Sequence, residues 1–230
     1  GYQRVGLAPL AEPLFLLGII LALYHDVGYI RHRKDTRHQQ GAEYTLTHVS
    51  RSGLYLRNYL PRIGMADLAP VAARLVHYTG FEVPVDKINL PDPIFKVIGN
   101  LLGTADILGQ MSDRCYLEKC YERLYPEFVA GGIAVRTDEQ GEKHVVFESG
   151  ADLVLKTPGF FQHAEYRLDN VLASVHRYAE KHFEGSNLYL ETVQNTIGYA
   201  RTLTKSEDVA RLRRLAPEAP AEEQVKPESD

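Results

Sequence analysis

The step most able to do chemistry in this 230-residue chain is His25-Asp26, which follows the apolar run Leu14-Phe-Leu-Leu-Gly-Ile-Ile-Leu-Ala-Leu-Tyr24 and precedes Val27-Gly28. An imidazole and a carboxylate beside so much aliphatic surface are costly unless something compensates them. A divalent metal ion compensates both, because His supplies a neutral nitrogen while Asp supplies charge and can bridge two ions. Three further polar residues punctuate later helix-like segments: His48, His77 and Asp106. Any one of them, taken singly, reads more readily as a separately satisfied core or surface group. Asp106 is the most demanding, since it sits among Ile98, Leu101, Leu102, Ile107 and Leu108. It needs either a metal or a cationic neighbour such as Arg74.

The ordered set resembles the HD-domain metal-dependent phosphohydrolases, whose motif places His, His-Asp, often two more His, and a closing Asp on successive helices of an all-α domain. Leu23-Tyr-His25-Asp26-Val-Gly28 matches the eponymous step, and His48-Val-Ser-Arg-Ser-Gly-Leu-Tyr-Leu56 is similar to the next ligand helix. His77 ends Val71-Ala-Ala-Arg-Leu-Val-His77, and Ala105-Asp106-Ile-Leu-Gly-Gln-Met-Ser112 is similar to the closing helix. The likeness covers residues 10–125. It departs from the family in two places: no His precedes His25, and Tyr29 stands where many relatives have Lys. The family's first His therefore either precedes Gly1 or is absent, which leaves one ion or two.

The resemblance implies an all-α HD-domain helical bundle in which His25, Asp26, His48, His77 and Asp106 hold one or two divalent ions (Mn, Fe, Mg, Co or Ni). It implies hydrolysis of a phosphate ester or phosphoanhydride, with nucleotides and cyclic nucleotides among the substrates. Asp26 would be the catalytic residue, bridging the ions and orienting the attacking water. Lys34 lies in the basic stretch Arg31-His-Arg-Lys-Asp-Thr-Arg-His38, eight residues past Asp26. It is the candidate phosphate contact, although such a stretch reads equally well as a solvated loop. Two other readings remain open: a catalytically silent HD module that binds a nucleotide or signals to a partner, and a di-iron HD-fold oxygenase.

Composition narrows the field. Apolar residues make up 44% and charged residues 24%, enough for a buried core in an ordinary globular chain. Of the formal charge of -4, the last 25 residues contribute seven acids and four bases, leaving 23 and 22 in the body. That balance argues against a nucleic-acid partner and against a polybasic membrane patch. Two Cys do not make a disulfide framework, so a reducing, cytoplasmic setting is expected. Leu14–Tyr24, at 11 residues, falls short of the roughly 20 needed to span a bilayer and is expected to be a buried core helix. A homo-oligomer is left open.

The elements needed to position these residues follow from periodicity and breakers. Helices are expected over 41–59, stopped by Pro61, over 65–78, and over 94–125, the longest. Gly131 to Phe147 reads as a hairpin around Gly141. Thr157-Pro158-Gly159 is expected to start a helix reaching Phe183, followed by one over 188–203. The implied organisation is an HD core over 1–128, a hairpin with a helical extension over 129–205, and a disordered tail over 206–230. No Walker loop, nucleophile elbow or GxGxxG motif occurs.

Overall fold

The computed structural model describes residues 2, 9–206 and 208–212. The fold is all-α, 69% helix and 3% strand. Its helices are α1 (Glu12–Tyr24), α2 (His48–Tyr59), α3 (Ala69–Leu75), α4 (Pro93–Met111), α5 (Tyr116–Lys119), α6 (Tyr125–Ala130), α7 (Gly150–Tyr166), α8 (Tyr178–Phe183) and α9 (Leu188–Ser206). Between α6 and α7, β1 (Val135–Thr137) pairs antiparallel with β2 (Lys143–Val145), Val135 opposite Val145. This hairpin is exposed along its length.

One core runs through the chain, from Leu17 and Leu21 of α1 through Leu56, Leu75, Ile98 and Leu102 to Phe161, Leu172, Ile197 and Leu203. The helices of 129–205 thus share the core of the first half.

Four elements depart from the sequence reading. The first is α1, expected to be buried throughout. Leu17 and Leu21 are buried, but Phe15, Leu16 and Ile19 are about half exposed and Leu23 is 73% exposed, because no described element packs on that side. Glu12–Tyr29 is long and apolar enough to cross a membrane by composition, although its α-helical part is only 13 residues long.

The long helix over 94–125 is the second. It stops at Met111, where the Asp113 carboxylate accepts from the Cys115 amide at 2.8 Å and pairs with Lys119. A side chain that satisfies a helix-start amide diverts the backbone from continuing the previous helix.

Third, α7 begins at Gly150, capped by Ser149 on the Asp152 amide at 3.1 Å, and runs straight through Pro158. The spacing of Leu153, Thr157 and Phe161 puts one stripe on the core, and that burial outweighs the bond proline removes. The helix then widens into a π-helical stretch, Arg167–Val171, instead of continuing to Phe183.

Lastly, most of the expected tail lies outside the described residues. Val209–Arg211 forms a 3₁₀ turn, however, and the Tyr199 hydroxyl donates to the Arg211 carbonyl.

The first half closes at a single point. Gly28 lies directly against α2: a Cβ there would stand 1.9 Å from the His48 carbonyl oxygen and 2.9 Å from the Ser52 amide nitrogen. The Gly28 amide donates to Ser52 Oγ at 2.8 Å, while Arg51 donates to the Gly28 carbonyl at 2.6 Å and to the Ile30 carbonyl at 2.9 Å. A methyl group cannot enter without separating two backbones. Gly28→Ala is therefore expected to cost about 3 kcal/mol, the upper end for overpacking, read as a lower midpoint in urea denaturation. A midpoint unchanged from wild type would show that the two segments are not held this closely.

Candidate metal centre

Four of the five residues singled out as metal ligands meet at one corner of the bundle. His25 Nε2 lies 3.3 Å from Asp26 Oδ2 and 3.5 Å from Asp106 Oδ1, and His48 Nε2 lies 3.6 Å from Asp26 Oδ1. These separations exceed direct hydrogen bonds. The two His25 separations match the spacing of donors that share an ion, since atoms about 2.1 Å from a metal sit roughly 3.0–3.5 Å apart, and the His48 separation is slightly wider.

Both imidazoles are fixed in the same way. His25 Nδ1 lies 2.9 Å from the Ala22 carbonyl, three residues back, and His48 Nδ1 lies 2.7 Å from the Thr45 carbonyl, also three back. A ring N–H held by a carbonyl leaves the opposite nitrogen as a lone-pair donor, the arrangement that orients histidine ligands in metal sites. The two free Nε2 atoms are the ones that face Asp26.

The elements set this up locally. His25 caps the C-terminal end of α1 and is the last residue before the backbone leaves helical geometry at Asp26. His48 opens α2, whose first amides have no partner within the helix. Glu82, from the loop after α3, satisfies them. Its carboxylate accepts from the Val49 amide at 2.9 Å, from the Ser50 amide at 3.1 Å, and from the Ser50 hydroxyl. Asp106 projects from the middle of α4 with its side chain 12% exposed, and it accepts a bond from Gln110 one turn on, at 2.7 Å. Arg74 is not its partner; that guanidinium donates to the Asn89 carbonyl.

His77 stands apart from these four. Among the described residues its side chain makes no hydrogen bond or ion pair, and its Nδ1 is buried without a partner. Burial pushes its pKa down, against a weaker opposing pull from Glu82. It is thus a neutral imidazole with an unused nitrogen.

Lys34 lies on the exposed loop after the His-Asp step, its amide donating to His32 Nδ1. It makes no contact with the four clustered side chains. In the same loop Asp35 binds His38 and receives the buried Tyr44 hydroxyl, whose ring carries the Arg51 guanidinium at 3.6 Å.

The structure adds residues that sequence patterns could not mark. The Tyr29 ring stacks on His48 with centroids 4.2 Å apart, and burial first, then the Glu127 charge of α6, raise its hydroxyl above the ordinary range. Burial raises the Glu127 carboxyl, and the nearby Asp26 charge raises it further, against the Tyr29 bond and His48. Arg167, opening the π-helical stretch after α7, feels the Asp106 charge from the other side. Both residues lie far along the chain from His25-Asp26 without a recognisable motif.

A second donor group forms on the hairpin: the ligand atoms of Asp138, Glu142 and His144 all lie within 4.8 Å of one another. Sequence reading marked the hairpin but not this grouping. The larger corner is more open than this: its donors are not all mutually within that distance, His25 lying near both Asp26 and Asp106, and Asp26 near both His25 and His48. Compared with known proteins, the chain matches no family model, no curated protein and no solved structure.

The electrostatics of the corner are those of a cation site. Asp106 first, then Asp26, hold His25 protonated against the effect of burial, raising its pKa from about 6.5 to about 10. Burial pushes the Asp26 carboxyl up, but the adjacent His25 and, less strongly, the charge of His48 bring it below its ordinary value. A histidine whose folded-state pKa is raised stabilises the fold fully below its unfolded pKa and loses that contribution as pH climbs through the folded value. The stability gap between wild type and His25→Gln in EDTA should therefore be widest below pH about 6.5 and close toward pH about 10. Urea titrations at several pH values measure it, and a gap independent of pH would exclude this charge arrangement. With Mn(II) added, metal and proton compete for one nitrogen, so apparent metal affinity should rise across the same window.

Proposed function

We propose that this chain is a metal-dependent phosphohydrolase on an HD-type helical domain, acting on a phosphate ester or phosphoanhydride such as a nucleotide. The observation that carries the reading is the corner itself. Two imidazoles are each locked by Nδ1 onto a backbone carbonyl, and their free Nε2 atoms flank Asp26, with Asp106 closing the far side. The donors fit a divalent ion of mixed nitrogen and oxygen preference (Mn, Fe, Mg, Co or Ni). His25, Asp26, His48 and Asp106 would hold one or two such ions. His77, whose Nδ1 is buried and unpartnered, is a further candidate donor.

A bound divalent ion would lower the pKa of a water and polarise a phosphoryl oxygen, so that the water attacks phosphorus in line. The protein's own residues supply the rest. Asp26 directs one carboxylate oxygen at each histidine and so can hold a water in line and accept its proton. The bonds from His25 to Ala22 and from His48 to Thr45 keep both rings from turning away when charge changes at Nε2. Tyr29 stacks on His48 and covers one face of its ring. Lys34, on its exposed loop, is a candidate contact for the outer oxygens of the phosphate.

Asp106→Ala tests this reading against a purely structural one. Loss of a ligand carboxylate should lower metal affinity and turnover of a chromogenic phosphodiester together, by about 100-fold or more, with the helical fold retained. If Asp106 instead served a structural ion pair, its removal would strand a charge and cost about 3–5 kcal/mol. Metal analysis, thermal melting and turnover separate the two. A variant that melts far earlier yet keeps its metal and activity would overturn the proposal.

A further inference from the structure

Arg167 is a half-buried cation that has not spent its charge. Its Nη2 donates to the Tyr78 carbonyl at 2.8 Å and to the Gly80 carbonyl at 2.9 Å, which fixes the guanidinium in place. Its Nε and Nη1 have no hydrogen-bond partner among the described residues, and no carboxylate lies within 4.0 Å of it there. The carbonyls it grips follow His77 directly. That of Tyr78 packs so closely on α4 that a Cβ at Gly103 would stand 2.4 Å from its oxygen. Gly103 is one helical turn before Asp106, so Arg167 stands beside the proposed metal corner. A positive group held rigidly in a half-dry position, with Asp106 acting on it only from beyond ion-pair distance, gains from an anion that arrives from outside.

Phe81 covers one face of the same guanidinium, its centroid 4.4 Å from the central carbon. It is nevertheless 77% exposed, the highest value among the large apolar side chains described. One ring face is thus occupied by Arg167 and the other is open to solvent. The loop that carries it is held at both ends, by Arg167 on the Gly80 carbonyl and by Glu82 on the first amides of α2. An exposed aromatic on an anchored loop, backed by a fixed cation, offers a flat stacking surface next to an anion-binding fork.

Resting on the hydrolase reading above, we propose that Arg167 and Phe81 form the recognition edge for an organic phosphate that carries a flat aromatic ring. Arg167 takes the phosphate oxygens through its free N–H groups. Phe81 stacks the ring on its open face. Neither residue takes part in bond breaking, so the pair sets which phosphate is bound. The helical extension, which contributes Arg167, thereby becomes part of substrate selection.

The test separates binding from turnover. Full-length wild type, Arg167→Ala and Phe81→Ala are titrated calorimetrically with AMP, adenosine and inorganic phosphate, once in EDTA and once with Mn(II). Arg167→Ala should weaken AMP and inorganic phosphate by about tenfold or more and leave adenosine unchanged. Phe81→Ala should weaken AMP and adenosine by about tenfold and leave inorganic phosphate unchanged. Equal AMP affinity in all three proteins, or no AMP binding to wild type in either condition, would overturn the proposal. So would an Arg167→Ala protein that melts earlier and loses adenosine and phosphate equally, since that is the mark of a clamp on the Tyr78 and Gly80 carbonyls. If Arg167→Ala does not fold, Phe81→Ala and Arg167→Lys, which keeps the charge but loses the fork, carry the same comparison. Failure of the hydrolase reading looks different: no metal and no turnover, with the ligand pattern intact.

Discussion

The contact between Gly28 and the first turn of α2 is the constraint from which the rest of the candidate site follows. His25-Asp26 and His48 lie on separate elements joined by a polar loop, and loop closure alone would leave them far from any fixed geometry. The absence of a side chain at Gly28 lets two backbones touch, while Ser52 and Arg51 take up the polar groups that this contact would otherwise strand. Once the contact forms, Asp26 must face His48, and Tyr29 must lie on the His48 ring. Glu82 completes the arrangement by capping the helix that His48 opens. A buried apolar core could hold α1 and α2 together without fixing their registers. The polar lock supplies the register.

Charge is organised around that lock in layers. The corner carries Asp26 and Asp106 against a single strongly protonated imidazole, His25, which in the metal-free protein occupies the electrostatic role of a cation. Outside it, Glu127 adds a further carboxyl that burial and the Asp26 charge both push toward its neutral form. Such a cluster is destabilising to assemble, because each carboxylate raises the cost of ionising the next. It persists where a function needs concentrated donor groups, and strongly perturbed titrations gathered in one place are characteristic of functional sites.

The C-terminal helices are part of the same folding unit. Phe161, Leu172, Ile197 and Leu203 lie in the core that contains Leu17 and Leu102, so α4 is packed from both halves of the chain. Arg167 opens the π-helical stretch into which α7 gives way. Such widenings occur frequently at functional positions, since the extra residue in the turn re-aims a side chain. The hairpin, by contrast, stays outside the core, and its Asp138, Glu142 and His144 group is exposed.

How much of this was legible in the sequence divides along physical lines. The apolar run before His25, the apolar surroundings of Asp106 and the helical spacing around His48 are local properties, and they determined the all-α class, the hairpin and the residues worth watching. Local signals also misled where a long-range term competed. The apolar composition of α1 suggested full burial, yet composition does not say how many neighbours an element will have, and one face was left open. Thr157-Pro158 looked like a helix start until core packing of Leu153 and Phe161 carried α7 through it. Only the tertiary structure decided which polar residues meet. Four of the five candidate ligands converge, while the Nδ1 of His77 is buried without a partner. Glu82, Glu127 and Arg167 reach the site from separations no spacing pattern encodes, since periodicity reports which face of an element is buried but not which faces come together.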